Sequence, residues 1–143
     1  MRSHIARVGL VGLAYPSGLG NTTREFSRQL PFDRWLVIPH GRHGVDPSFL
    51  DERCQIGAID MPVEAIDAWL DGLDAVFAIQ AVYARGLWER AKARGILTVL
   101  MVNAEWFAPA LPELAFVDRF LAPTRSCAAM LERTGFGSRT RFI

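Results

Sequence analysis

What this chain has little of narrows its class first. It has two cysteines, Cys54 and Cys127, far apart in sequence and in no CxxC or Cys/His ligand spacing. Reduced thiols in a cytoplasmic setting are therefore the expectation, with a disulfide left open by sequence alone. No apolar run approaches the roughly 20 residues that span a bilayer. The longest, residues 96–102, contains Thr98 and is strand-sized. The opening Met1-Arg2 and the apolar residues 8–14 mimic a weak signal peptide. Their apolar part is short, holds two glycines and precedes no clean cleavage site, so a buried first strand is the better reading. Excess charge of one sign is also missing. Sixteen Lys and Arg stand against 15 Asp and Glu, and the basic residues are scattered. That removes the electrostatic case for a nucleic-acid or membrane-surface protein. There is no internal repeat and no low-complexity tract.

What is present is ordinary globular material: 143 residues, 50% hydrophobic and 22% charged. That suits one domain with a real core, spanning residues 1–143. Short apolar runs alternate with helical patterns. Val8-Gly9-Leu10-Val11-Gly12-Leu13 reads as a strand buried on both faces. Residues 21–30 read as a helix with a capping-box pattern at Thr22-Thr23-Arg24-Glu25 and a stop at Pro31. Trp35-Leu36-Val37-Ile38 is a second strand. Residues 40–60 begin as a loop, with a short strand at about 55–59. Pro62 opens a helix whose apolar stripe is Val63, Ile66, Leu70 and Leu73. Strand 75–79, a helix over about 84–94 stopped by Gly95, and the strand 96–102 follow. Phe120-Leu121-Ala122 is a short strand. A helix from Thr124 carries Cys127, Met130 and Leu131 on one face, and Arg139 to Ile143 starts a last strand. Continuous apolar strands alternating with helices mean an α/β fold: an open, doubly wound, mostly parallel, Rossmann-like sheet. About six or seven strands with helices on both faces are expected, too few for a (β/α)₈ barrel.

In such a sheet ligands bind beyond the carboxyl ends of the strands, near the switch in strand order. Four loops qualify: residues 14–21, 39–44, 80–83 and 103–107. The first holds Gly18 and Gly20 before Asn21, where a close backbone approach and a helix start suit a bound group. A purely structural turn fits the same residues. The spacing of Gly12, Gly18 and Gly20 is not GxGxxG, no acidic residue closes the second strand at Val37-Ile38-Pro39-His40, and no GxxxxGK[ST] occurs. A dinucleotide fingerprint and a P-loop are both missing.

The apolar strand, the loop Tyr15-Pro16-Ser17-Gly18-Leu19-Gly20-Asn21 and the polar helix start together resemble a known family. They look like the glycine-rich first loop of GT-B glycosyltransferases of the glycogen-synthase-like superfamily, group 1/4 type. The likeness covers essentially the whole chain in element order. It extends to Asn103-Ala104-Glu105-Trp106-Phe107 after the fifth strand and to Val117-Asp118-Arg119-Phe120-Leu121-Ala122-Pro123-Thr124 before a helix. The resemblance implies the N-terminal, acceptor-side half of a two-domain enzyme. Gly18, Gly20 and Asn21 would then approach the diphosphate of a nucleotide-sugar donor, a co-substrate rather than a tightly bound cofactor. The partners implied are that donor, a glycosyl acceptor and a C-terminal nucleotide-sugar domain. The chain stops at Arg141-Phe142-Ile143, inside a strand, so a fragment, a truncated frame or half of a split enzyme is expected, inactive by itself. Where relatives place a His-containing segment facing the cleft, this chain has Gln80-Ala81-Val82-Tyr83.

Glu105 is the candidate catalytic or acceptor-binding carboxylate, since it can accept hydrogen bonds from sugar hydroxyls. Trp106 offers a flat face to a sugar ring. The alternative is a Glu capping a nearby helix and a Trp in the core. Tyr15, His40 and Asn103 complete the expected substrate-binding set. His40, Arg42 and His43 suit phosphate or acceptor, and no metal site is expected from two histidines without Cys or clustered carboxylates. Two other classes stay open: a non-catalytic interaction module, and a Rossmann-like enzyme using NAD or S-adenosylmethionine.

Overall fold

Apolar runs of four or five residues can bury both faces only if the intervening segments fold back over them. A computed structural model describes residues 4–143, with the backbone alone at Trp106. Seven strands form among these residues: β1 (Val8–Gly12), β2 (Arg34–Val37), β3 (Cys54–Ile56), β4 (Ala75–Ile79), β5 (Leu97–Met101), β6 (Arg119–Ala122) and β7 (Thr140–Phe142). Four helices lie between them: α1 (Gly18–Gln29), α2 (Val63–Leu70), α3 (Leu87–Ala93) and α4 (Arg125–Arg133). All pairings are parallel, in the order β3-β2-β1-β4-β5-β6-β7. The expected open Rossmann-like sheet is the observed one.

The order fixes where helices go. From β1 the chain works outward to β3, then returns to β4 beside β1 and works outward the other way. Right-handed crossovers of opposite direction fall on opposite faces. Leu10, Trp35, Val37, Phe77 and Ile79 accordingly pack with Phe49 and the flank of α1. Val11, Leu36, Val76, Leu100 and Phe120 pack on the other face under α2, α3 and α4. The coverage is uneven: one helix on the first face, three on the second.

The amino-terminal edge of the sheet is pinned by aspartates. Asp33 accepts the Val8 amide at 2.7 Å, Asp74 the Arg7 amide at 2.7 Å, and Asp118 the Thr98 amide at 3.0 Å. Each stands just before a strand and fixes the start of its neighbour, so register is set at this end. The carboxyl-terminal end is left free for ligands.

Several expected boundaries move, each for a local reason. Helix α1 begins at Gly18, because Ser17 is the cap and its hydroxyl accepts the Gly20 amide at 2.9 Å. The capping box expected at Thr22–Glu25 does not form. Thr22 and Thr23 are already helical and donate their hydroxyls to the carbonyls of Gly18 and Leu19. Helix α3 starts at Leu87 rather than near Ala84, since Ala84 and Gly86 have φ of +57° and +80°. Pro62 caps α2 instead of opening it, α2 ends at Leu70, and Val63 is exposed rather than part of the buried stripe. Strand β3 sits earlier than expected, with Cys54 beside Trp35.

Candidate functional site

The reversal in strand order between β1 and β4 opens a cleft of about 980 Å³ beyond the carboxyl ends of the strands. All four loops selected from the sequence contribute to its wall. Tyr15, Ser17 and Gly18 come from the first, His40 from the second, Gln80 from the third, and Asn103 and Glu105 from the fourth. A fifth segment, Pro123, Thr124, Ser126 and Cys127 after β6, was not singled out. Applying the strand-end rule to Phe120-Leu121-Ala122 as well would have found it.

The expected donor-loop residues divide. Gly18 lines the cleft, and an added Cβ there would meet nothing within 4 Å. Gly20 is buried, does not line the cleft, and its missing Cβ would stand 2.0 Å from the Tyr15 carbonyl oxygen. Asn21 faces a neighbouring groove along α1 instead. Tyr15 stacks on His43, rings 4.8 Å apart and 19° from parallel, which ties the first loop to the second. His40 is exposed at the rim. Asn103 is exposed, and its side-chain oxygen accepts the Glu105 amide at 3.1 Å, starting a short 3-10 turn, Ala104–Trp106. That leaves the exposed Glu105 carboxylate at the cleft wall. The Trp106 side chain lies outside the described residues.

Two helix starts converge here. Ser17 caps α1, and Thr124 caps α4 by accepting the Cys127 amide at 3.1 Å; both caps line the cleft. Neither helix has an acidic residue in its first turn, whereas α2 and α3, which do not line the cleft, begin with Glu64 and Glu89. The positive ends of α1 and α4 are thus not offset from within. Among the described residues no Lys or Arg lines the cleft, and Glu105 is its one carboxylate.

Gln80 marks the switch point itself. Its φ is +73°, and its amide donates to the Met101 carbonyl at 2.6 Å. A non-glycine residue held in this region costs of order 1 kcal/mol or more, and such strain collects at binding sites. Tyr83, three residues on, is not in the wall. Its hydroxyl is buried without a partner among the described residues, and burial, with nearby Tyr15 adding, pushes its phenol well above the usual range. Cys54 and Cys127 are both free thiols, the second buried with its Sγ 3.7 Å from the Val102 carbonyl. Among the described residues no three His, Cys, Asp or Glu side chains gather closely enough to hold a metal ion. No described helix is long and apolar enough to cross a membrane. No protein-family model matches this chain, and no curated protein matches it in sequence.

Proposed function

We propose that this chain is the acceptor-side Rossmann-like half of a GT-B glycosyltransferase, working in the cytoplasm with a second, nucleotide-sugar-binding domain. The observation that carries the reading is the makeup of the cleft. Among the described residues it combines two uncompensated helix starts, one carboxylate and a rim of hydroxyl, amide and imidazole groups, with no fixed cation. Helix starts suit the diphosphate of a donor, whose amide contacts gain strength as the leaving group acquires charge. Gly18 is the close-approach point. Gly20 supports it by letting the loop fold tightly over Tyr15. Glu105, with Asn103 holding its backbone, accepts hydrogen bonds from acceptor hydroxyls, and its place as general base follows if the acceptor proton lies within reach. Closure of a second domain over this open face would exclude water.

A second reading has one observation in its favour. The order β3-β2-β1-β4-β5-β6 is also that of dinucleotide-binding sheets. It lacks their glycine fingerprint, and β2 runs out into Ile38-Pro39-His40 with no acid for the ribose.

A thermal-shift panel of UDP- and GDP-linked sugars against NAD and S-adenosylmethionine separates the readings. The expected result is weak stabilisation by a nucleotide-sugar, reduced by Glu105→Gln when acceptor is added, and no transfer by the isolated chain. Selective stabilisation by NAD or S-adenosylmethionine, or robust turnover by the 143-residue chain, would overturn the assignment.

A further inference from the structure

An all-parallel sheet hides both faces, because its strands are apolar on both. This one does so only in part. On the face where α1 lies, β5 presents Leu97, Val99 and Met101, the register-mates of Ala75, Phe77 and Ile79 on β4. Leu97 is 43% exposed. Among the described residues no further helix lies on this face, since α2, α3 and α4 all pack on the other.

The bare strip is a groove rather than a flat patch. Along α1, Asn21, Thr22, Glu25, Phe26, Gln29 and Leu30 bound a hollow of about 550 Å³. Leu30 is shared with a second hollow of about 330 Å³, floored by Val8, Ala75, Phe77 and Val99. From Thr22 to Leu30 the bank runs about 12 Å at 1.5 Å per residue. Helices pack about 8–10 Å apart, or two strand spacings, so the next helix position beside α1 falls over β4 and β5.

The far bank carries charge. Side chains alternate along a strand. Phe120 packs in the other layer, so Arg119 and Leu121 share this face, and Arg141 pairs with Leu121. Both arginines are exposed. The contacts of their guanidinium groups are backbone carbonyls, Asp118 at 2.8 Å and Thr140 at 3.4 Å. Among the described residues neither has a carboxylate within ion-pair reach. We propose that this groove docks an amphipathic helix of a partner, its apolar stripe on Phe77 and Val99 and a carboxylate-bearing edge over Arg119 and Arg141. A second copy of the chain is a poor occupant. Groove against groove leaves the floor unfilled, and Glu25 is the single carboxylate among the described residues lining the groove, against two arginines on the far bank.

The groove adjoins the cleft, sharing Thr22 and Met101 with its wall, but its floor at Phe77 and Val99 and its charged bank are not cleft residues, so its test stands apart from the glycosyltransferase reading. The probes are two synthetic helical peptides of about sixteen residues, a length at which helix is marginal but attainable. Both carry Leu at i, i+3, i+4 and i+7; one has a Glu edge, the other a Lys edge. Fluorescence anisotropy with the full chain should show the Glu-edged peptide binding at least about tenfold tighter, a difference of about 1.4 kcal/mol. Arg119→Glu with Arg141→Glu should invert that preference. Leu97→Gln, an exposed change, should weaken the Glu-edged peptide several-fold while circular dichroism and Tm stay as in the parent. Binding of neither peptide, equal binding of both, or a groove closed by self-association in sedimentation equilibrium would each overturn the proposal.

Discussion

At position 20 a methyl group would stand 2.0 Å from the Tyr15 carbonyl oxygen, while at position 18 it would meet nothing within 4 Å. Two glycines of one loop thus have different physical reasons. Gly20 allows a turn to close on itself, and the obstacle to any side chain is backbone, which has nowhere to go. Gly18 keeps the space above a helix start open. Gly20→Ala should therefore cost about 3 kcal/mol in chemical denaturation, the upper end of overpacking effects. Gly18→Ala should leave stability unchanged or raise it by about 0.5 kcal/mol, through a less flexible unfolded chain. Equal losses in the two variants would mean that Gly18 also serves packing and not the cleft. The sequence pattern placed both glycines in the loop. It could not divide them, because what separates them is the direction of the Tyr15 carbonyl, five residues before Gly20.

At the scale of elements, the aspartates of the amino-terminal edge do the positioning that the loops at the other end cannot. Asp118 is the best connected. It sits between Lys92 Nζ at 2.6 Å and both the amide and hydroxyl of Thr98 at 3.0 Å. Burial works against its charge, but Lys92 and Thr98 outweigh that and hold the carboxyl below its ordinary value of 3.8. A native pKa below the unfolded one means that the unfolded state binds the proton first. The stabilisation is therefore present above about pH 4 and lost as pH falls through the lower native pKa. Asp118→Asn should destabilise the protein at pH 7, and its gap to the parent should narrow below pH 4 in urea melts. A gap that stays constant from pH 7 to pH 2 would remove the charge from the account.

The elements themselves show which sequence signals were sufficient. Short apolar runs between helical patterns located the five inner strands, since burial on both faces leaves few polar residues within a strand. The edge strands β3 and β7 are mostly exposed and carry Gln55, Thr140 and Arg141, and β3 sits earlier than its expected place. Helix starts were read less well. The Thr22–Glu25 pattern matched a capping box in letters, yet Ser17, five residues earlier, had already captured the Gly20 amide. Alanine at 84 carries no hint of left-handed backbone, so the late start of α3 at Leu87 was not legible either.

For the whole molecule, the strand reversal between β1 and β4 decides both features with functional content. It opens the cleft where α1 and α4 point their starts, and it sends the later helices to one face, leaving the groove beside α1 bare. The loops of the cleft were readable because strand ends are. The contribution of Thr124 and Ser126, the convergence of two helix starts and the bare groove depend on three-dimensional order, which no local pattern encodes. The central claim concerns the cleft, and amide-resolved NMR tests it most directly. In a ¹⁵N titration of the chain with UDP-glucose and GDP-mannose, one donor should shift the amides of Gly18, Leu19, Gln80, Glu105 and Arg125 in a saturable way, leaving those of Val8 and Thr98 at the opposite edge unmoved. Shifts confined to other surfaces, or saturation by NAD at the same amides with none by either nucleotide-sugar, would contradict it.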